Sequence, residues 1–204
     1  MFDVELRRLV DPPLDRAGRA LARAGLRPNA VTIAGFAVGL GCVPAIALQL
    51  WWLALVCLAV NRLCDGLDGA IARHGLATDF GGYLDIVCDF VFYAAFAFSF
   101  ALARPDFAIP AGVLVLSFVG TGSSFLAHAI IAEKRGINIG RPAGKSFFYA
   151  RGLAEGGETI GFFTLCLLWP SAFVWLAYGF SLLCWATTGM RVAQAWRTFN
   201  PRGR

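Results

Sequence analysis

Four aspartates within a stretch of 25 residues are the side chains best able to do chemistry in this sequence: Asp65, Asp68, Asp85 and Asp89. The segments around them are otherwise apolar enough to lie in a membrane, where an ionisable group is costly and usually marks a functional site. The members of the first pair are three residues apart and those of the second pair are four apart, so on helices each pair shares one face. Like charges so placed repel each other, and a divalent cation between them would remove that cost.

This cluster favours metal-assisted chemistry on a phosphate. Carboxylate oxygens are hard ligands that suit Mg²⁺, Mn²⁺ or Ca²⁺, and four that converge without His or Cys could hold two such ions. A pair of ions suits a phosphorylated substrate, because it neutralises a diphosphate and stabilises charge as a phosphorus–oxygen bond breaks. Arg73 could also bind a phosphate. The residues alone leave a second interpretation open, in which the acids form structural ion pairs with Arg62 and Arg73 or line a cation pathway.

The composition predicts an all-α, polytopic membrane protein. Of the 204 residues, 58% are hydrophobic, and the mean hydropathy is +0.64, which is more apolar than a soluble domain of this size needs to be. The length suits one domain, residues 28–196, with six transmembrane helices of about 20 residues each. The expected spans are residues 30–50, 51–72, 81–103, 107–132, 152–169 and 172–195. The six cysteines lie in apolar runs without a CxxC pair and are expected to be reduced packing residues.

Residues 1–27 are predicted to form a cytoplasmic amphipathic helix at the membrane interface. Apolar residues recur at helical spacing between residues 2 and 24, and arginines supply a basic side, as in helices that lie on an anionic leaflet. Pro12 and Pro13 are expected to break or kink this helix. A basic flank that only sets the topology is an equally good interpretation. The segment lacks the apolar core and the cleavage site of a signal peptide.

The distribution of basic residues predicts how the spans are oriented. Six spans place both termini on one side of the membrane, and almost all Lys and Arg residues outside the spans fall on that side, whereas the opposite side holds only Arg104. The positive-inside rule therefore predicts that both termini, including a basic tail at 197–204, lie in the cytoplasm, with the bacterial inner membrane as the expected location. Both aspartate pairs then lie at the cytoplasmic face, where a short connection between their helices lets them converge.

The aspartate stretch resembles the signature of the CDP-alcohol phosphotransferases, or CDP-alcohol phosphatidyltransferases, of the integral-membrane class I type. That signature is D-x2-D-G-x2-A-R-x7/8-G-x3-D-x3-D, and all its fixed positions are present. They are Asp65, Asp68, Gly69, Ala72, Arg73, Gly81, Asp85 and Asp89. Pro28, Asn29 and Thr32 also resemble the P-N-x-x-T motif at the start of the first span in this family.

The resemblance implies a membrane enzyme of phospholipid synthesis. Such an enzyme transfers a phosphatidyl or similar group from a CDP-linked lipid, such as CDP-diacylglycerol, to a polar alcohol and releases CMP. The resemblance further implies that the four aspartates bind two Mg²⁺ or Mn²⁺ ions, that Asp89 is also the general base, and that the protein forms a homodimer in the lipid bilayer, with no nucleic acid partner. The residues implied to bind the CDP group are Asp65, Asp68, Gly69, Ala72, Arg73, Gly81, Asn29 and Thr32.

Residues after the fourth span are expected to determine the acceptor alcohol. Lys145, Arg151 and Arg191 could bind a phosphate on an acceptor such as glycerol 3-phosphate or inositol phosphate. Glu155 and Glu158 could bind acceptor hydroxyls or an ammonium group, pair with arginines, or stabilise a helix N-terminus. The positive-inside rule explains the basic residues near the fifth span equally well, and Arg191 could snorkel to the surface.

Several alternatives remain open at the level of the sequence. The segment from Gly144 to Ser146 matches only part of the G-K-x-K-T segment associated with glycerophosphate acceptors, which leaves an unphosphorylated acceptor, such as serine or inositol, as the alternative. Two other classes of protein could use the same acids: a divalent cation transporter and a catalytically silent lipid-binding membrane protein. A transporter would be expected to distribute its acids across the depth of the membrane, whereas here they cluster at one face.

Overall fold

The computed structural model describes residues 2–137 and 152–200, with side chains from residue 12 onward. Its described residues form helices and connecting turns and include no β-strand, which confirms the all-α prediction. The α-helices are α1 Phe2–Arg23, α2 Pro28–Leu40, α3 Cys42–Ala47, α4 Trp51–Ile71, α5 Asp79–Ala103, α6 Ala108–Lys134, α7 Gly156–Leu168 and α8 Phe173–Phe199. A wide π-helical turn, Ala72–Leu76, extends α4, and 3₁₀ turns at Pro105–Phe107 and Pro170–Ala172 precede α6 and α8.

Four helical segments in the described part of the chain are long and apolar enough to cross a membrane. They are Pro28–Ala47, Asp79–Ala103, Pro105–Lys134 and Pro170–Phe199. Helix α4 has 21 residues but carries Arg62, Asp65 and Asp68. Helix α7 has 13 residues and is therefore about 20 Å long, against a hydrocarbon core of about 30 Å. The chain is an integral membrane protein, and the count of six spans stays a prediction.

Two helices differ from the sequence-based expectation at their prolines. The first span divides at Gly41 into α2 and α3, because Pro44 has no N–H to donate to the carbonyl of Leu40. Helix α1, in contrast, continues through Pro12 and Pro13, so the expected break is wrong and the alternative, a kink, stays a prediction. Both of these prolines are exposed.

One face of α5 carries acids near its start and aromatic rings further along. Asp85 and Asp89 lie in its second and third turns. The same face continues with the buried residues Phe92, Phe96 and Phe100. Phe96 stacks on Phe163 of α7, and Phe100 on Phe173 of α8, each with ring centroids 4.0 Å apart. Since the stacked rings fix the rotation of α5 about its axis, they also fix the direction in which its acids point.

Small residues let two helices approach α4 closely. A Cβ on Gly35 of α2 would collide with the Cβ of Cys64 in α4. From a different direction, a Cβ on Gly18 of α1 would lie 2.6 Å from the Cβ of Ala70. Helix α1 therefore packs against the helix that carries the first aspartate pair, whereas its location at a membrane interface stays a prediction.

Asp15 connects α1 to the wide turn after α4. Its carboxylate accepts a hydrogen bond of 3.2 Å from Arg19 and lies 3.1 Å from Nε2 of His74. The hydrogen bond from Arg19 is the main cause that lowers the pKa of Asp15 below its ordinary value, so this carboxylate is ionised at neutral pH. Helix α1 thereby contacts both α4 and the turn that leads from α4 to α5.

We expect the substitution Gly35→Ala to destabilise the protein. The added methyl meets the Cβ of Cys64, which cannot rotate away, so α2 and α4 must separate. Overpacking of this kind costs about 1–3 kcal/mol, against a gain in helix propensity of about 1 kcal/mol. In the control Gly112→Ala, the methyl enters open space on α6. Thermal unfolding in detergent should give a lower Tm for G35A alone, and equal Tm values for the two variants would contradict the close packing.

Candidate active site

The two aspartate pairs lie together where α4 ends and α5 begins. One carboxylate oxygen from each of Asp65, Asp85 and Asp89 lies within 4.8 Å of the other two. Asp68 is buried beside them, and all four aspartates line one small cavity. The Oδ2 atom of Asp68 accepts a hydrogen bond of 2.6 Å from Oγ1 of Thr32 in α2. The structure therefore brings together the carboxylates whose spacing predicts that they converge.

The turn between α4 and α5 makes this convergence possible. Within Ala72–Leu76, Gly75 has φ +89°, a left-handed conformation that glycine adopts without strain. Thr78 then caps α5, because its Oγ1 accepts a hydrogen bond of 3.0 Å from the N–H of Gly81. This cap places the start of α5 at Asp79, two residues earlier than the sequence-based expectation.

The chemistry of the donor set fits a hard divalent cation. Bonds from Mg²⁺ or Ca²⁺ to oxygen are about 2.0–2.6 Å long, so carboxylate oxygens within 4.8 Å of one another can contact one ion from different sides. Among the described residues, no His or Cys joins this group of three aspartates. Asp68 stands outside the group, and its role as a metal ligand, like the number and identity of the ions, stays a prediction.

A cavity of about 200 Å³ opens beside the carboxylates. Its wall includes the following residues predicted to bind a CDP group: Asn29, Thr32, Asp68, Gly69, Ala72 and Gly81. A side chain at Gly81 would intrude, because its Cβ would lie 2.9 Å from Oδ1 of Asn29. Two further predicted residues lie elsewhere: Asp65 lines the small carboxylate cavity, and Arg73 is exposed with its guanidinium beside Gly69.

A second cavity, of about 440 Å³, also reaches the acids. Asp85 and Asp89 both line it, and Asp85 also lines the cavity of about 200 Å³, called the smaller cavity below. The two cavities therefore border the same group of carboxylates. Side chains from α5, α6 and α7 form much of its wall: Phe90, Tyr93, Phe118, Thr121, Phe125 and Thr159. The volume lies in the range of small-molecule sites in proteins.

Two of the residues predicted to bind the acceptor line this larger cavity, namely Glu155 and Arg191. Arg191 donates a hydrogen bond of 2.9 Å from Nη1 to the carbonyl of Thr121, and its buried Nε has no hydrogen-bond partner among the described residues. Glu155 Oε1 accepts a hydrogen bond of 2.8 Å from the N–H of Gly152. The carbonyl of Glu155 accepts a hydrogen bond from the N–H of Thr159. Helix α7 therefore begins at Gly156, four residues later than expected.

The other residues predicted to bind the acceptor are placed differently. Lys145 and Arg151 lie outside the described residues. Glu158 lies in the first turn of α7 but is not among the described residues that line the larger cavity. Tyr93 and Thr121, which do line it, carry no signal in the sequence, because an uncharged residue in an apolar span resembles an ordinary packing residue.

Arg62 forms the ion pairs that the sequence offers as an alternative to a metal site. Its Nη2 lies 2.9 Å from Oδ1 of Asp89, and its Nη1 lies 3.7 Å from Oδ2 of Asp65. One guanidinium carries a single positive charge and cannot neutralise four carboxylates. The arginine therefore leaves part of the negative charge uncompensated, and its signal in the sequence is its position one helical turn before Asp65.

Comparison with known proteins finds relatives that align with nearly the whole chain. The model of the CDP-alcohol phosphatidyltransferase family matches residues 25–193. The inner membrane protein YnjF of Escherichia coli is 46% identical over 201 residues, which cover 98% of each chain. The archaetidylinositol phosphate synthase of Pyrococcus horikoshii is 33% identical over 192 residues, which cover 94% of this chain and 95% of that protein.

Solved structures of one protein share the fold. They are two crystal structures of the phosphatidylinositol phosphate synthase of Mycobacterium tuberculosis, one with CDP-DAG bound and one in complex with manganese and citrate. Their TM-scores are 0.64 and 0.63 at 22% sequence identity, with 90% of this chain covered and 93% and 88% of theirs. At this identity the likeness concerns the fold.

We expect the substitution Asp85→Asn to weaken the binding of Mn²⁺ to the purified protein by about tenfold or more, since it removes a charged oxygen from the group of three. Electron paramagnetic resonance titration of Mn²⁺ measures this affinity without substrate or turnover. The control Asp106→Asn changes an acid that pairs with Arg104 before α6, and it should leave the affinity unchanged. Equal Mn²⁺ affinities for D85N and D106N would exclude the aspartate cluster as the metal site.

Proposed function

The chain belongs to the CDP-alcohol phosphatidyltransferase family and is a transferase of substituted phosphate groups, and we propose that it transfers a phosphatidyl group from a CDP-linked lipid to a phosphorylated polyol. CDP-diacylglycerol is the donor in this proposal, inositol phosphate is the leading acceptor, and CMP is released. The observation that carries the proposal is that two cavities border the aspartate cluster. One cavity suits a nucleotide and the other suits an alcohol.

The smaller cavity is the proposed site of the cytidine and diphosphate. It contains most of the signature residues, including Gly69, Ala72 and Gly81, whose small side chains leave room for a ligand. Asp68 and Thr32 share a hydrogen bond at its inner end. Arg73, exposed beside Gly69, is positioned to contact a diphosphate at the edge of this cavity. The structural neighbour from M. tuberculosis has CDP-DAG bound, which supports this class of donor.

The proposed cofactors are two Mg²⁺ or Mn²⁺ ions held by Asp65, Asp68, Asp85 and Asp89. When bound, such ions neutralise the diphosphate and stabilise the charge that develops on its oxygens. The group of three converging carboxylates supports at least one such site. The structural neighbour in complex with manganese supports the choice of metal.

Asp89 is the proposed general base. It lines the larger cavity, where the acceptor hydroxyl would lie, and a carboxylate can take the hydroxyl proton as the oxygen attacks. The acceptor oxygen forms a bond to the phosphorus that carries the lipid. The bond from that phosphorus to the bridging oxygen of the diphosphate then breaks, and CMP leaves with the electron pair.

The acceptor is proposed to carry a phosphate of its own. Arg191 lines the larger cavity, and its buried Nε has no hydrogen-bond partner within the described part of the chain; an arginine fork is well suited to phosphate oxygens. Lys145 and Arg151 are proposed to add to this site, and Glu155, which lines the same cavity, to accept hydrogen bonds from polyol hydroxyls. The relative from P. horikoshii is named for an inositol phosphate product, which favours inositol phosphate over glycerol 3-phosphate.

The proposed setting is the bacterial inner membrane, with six transmembrane helices and both termini in the cytoplasm. The name of the relative from E. coli supports that membrane, and the basic residues of the chain support that orientation. A homodimer stays part of the proposal. The small residues from Gly120 to Ser124 lend it no support, because Gly120 and Gly122 pack against Trp185 and Phe90 of the same chain.

We expect the purified protein with Mg²⁺ or Mn²⁺ to release CMP from CDP-diacylglycerol when inositol phosphate is the acceptor. Glycerol 3-phosphate, inositol and serine should give at least tenfold lower rates. The substitution Asp89→Asn should abolish turnover because it removes the proposed base, whereas Asp106→Asn should retain it. A highest rate with serine or inositol would refute the phosphorylated acceptor, and the absence of CMP with every acceptor would refute the proposed donor reaction.

We expect the substitution Arg191→Gln to raise the KM for the phosphorylated acceptor by about 10- to 100-fold, because a hydrogen bond to a charged group contributes about 1.5–3 kcal/mol. The KM for CDP-diacylglycerol should stay within about threefold of that of the wild type, since Arg191 is not among the residues of the smaller cavity. Arg197→Gln is the matched control, because this exposed arginine lies on the same helix. An equal rise in both KM values would argue against a specific acceptor contact.

A further inference from the structure

We propose that Arg62 is a positioning residue that holds the carboxylate of Asp89 in the orientation needed to accept the acceptor's proton. The inference deepens the proposed function and rests on it. Arg62 lies in α4, outside the signature, and its side chain is 17% exposed. Its Nη2 lies 2.9 Å from Oδ1 of Asp89 across the gap to α5. An arginine is always protonated and has no acceptor atom, so it cannot itself accept the proton and would act on the proton transfer through Asp89.

Arg62 is held independently of the aspartates. Its Nε donates a hydrogen bond of 2.8 Å to Oδ1 of Asn61. Asn61 is buried, and its Nδ2 donates a hydrogen bond of 3.0 Å to the carbonyl of Gly35 in α2. The guanidinium also lies over the rings of Phe92 and Tyr93, 5.3 Å and 5.8 Å from their centroids. A hydrogen-bonded chain thus runs from the backbone of α2 through α4 to an acid of α5.

The packing of α2 keeps this chain in place. A Cβ on Gly39 would lie 2.7 Å from Nδ2 of Asn61, so the glycine leaves the space that the amide occupies. The amide has both of its ends engaged, with the nitrogen bonded to α2 and the oxygen bonded to Arg62. Such an arrangement restricts the guanidinium to one orientation, and a rigid guanidinium restricts the carboxylate that it binds.

The geometry at Asp89 explains how orientation affects the reaction. A carboxylate has two oxygens, and Arg62 engages Oδ1, so Oδ2 remains to face substrate or cation. Asp89 lines the larger cavity, and a general base must come within hydrogen-bond reach of the acceptor hydroxyl. Without Arg62, the carboxylate can rotate about its χ angles among several rotamers, and the fraction of time in the reactive orientation falls.

The substitution Arg62→Lys separates orientation from charge. Lysine keeps the positive charge beside Asp65 and Asp89, but its single ammonium cannot reproduce the planar fork that binds Asn61 and Asp89 together. We expect kcat to fall by about 10- to 100-fold. The KM values for CDP-diacylglycerol and acceptor, and the affinity for Mn²⁺ measured without substrate, should each stay within about threefold of those of the wild type.

A second substitution tests the support of Arg62 without changing Arg62 itself. Asn61→Ala removes the acceptor of the Nε hydrogen bond and should lower kcat in the same direction, again with KM within about threefold. Arg104→Lys is the control: it weakens another arginine–aspartate pair, that with Asp106, and kcat should be unchanged. Rates are expressed per folded protein, as judged by size-exclusion chromatography and Tm.

The outcomes separate this inference from the proposed function. A loss of kcat in R62K or N61A, with KM and Mn²⁺ affinity retained, supports a positioning role. Wild-type kcat in both variants overturns it, as does a loss of kcat in which Mn²⁺ affinity falls by the same factor, because Arg62 would then only maintain the site. If the wild type releases no CMP with any acceptor, both the proposed function and this role of Arg62 are refuted.

Discussion

Repulsion among carboxylates at the junction of α4 and α5 is the interaction on which the rest of the structure depends. Two unit charges within 4.8 Å of each other repel by about 3.5 kcal/mol or more at an effective dielectric constant of 20, and Asp65, Asp85 and Asp89 make three such pairs. Arg62 offsets part of this cost, the proposed cations would offset more of it, and the helices must resist moving apart. Closely packed glycines hold α2 and α1 against α4. Hydrogen bonds from Thr32 and Arg62 join α2, α4 and α5 at the acids.

The aromatic core supplies the remaining rigidity. Asp85 and Asp89 share a face of α5 with Phe92, Phe96 and Phe100, whose rings stack against α7 and α8. A rotation of α5 that relieved the repulsion would withdraw these buried rings from the core. Phe92 takes part in both regions, because it packs against Phe163 and also lies beneath the guanidinium of Arg62. The stability of the core and the geometry of the acids are therefore set by the same helix.

The sequence predicted the parts of this structure that leave a local pattern. The spacing of the aspartates predicted that they converge, the apolar composition predicted an all-α membrane protein, and the signature predicted the family. The predicted helix boundaries were less accurate where a single residue sets the boundary, as Pro44 does in the first span and the cap at Thr78 does for α5. The partners of Arg62 were not predictable, because Asp89 is 27 residues away in the sequence and only the packing of α4 against α5 brings the two together. Much of the wall of the larger cavity is likewise built from uncharged residues on α5, α6 and α7, whose positions depend on tertiary packing.

The distribution of the acids between the two cavities bears on how a transfer reaction can proceed here. Asp68 lines the smaller cavity, Asp89 lines the larger one, and Asp85 lines both. In a phosphoryl transfer the attacking and leaving oxygens lie roughly in line on opposite sides of the phosphorus. A phosphorus held beside Asp85 would have a leaving nucleotide on the side of Asp68 and an attacking hydroxyl on the side of Asp89. The acid on the attacking side is also the one that Arg62 of α4 holds across the gap to α5. Under the proposed function, this asymmetry matches a reaction with one base and one leaving group, since only the acid on the attacking side needs a fixed orientation to accept a proton.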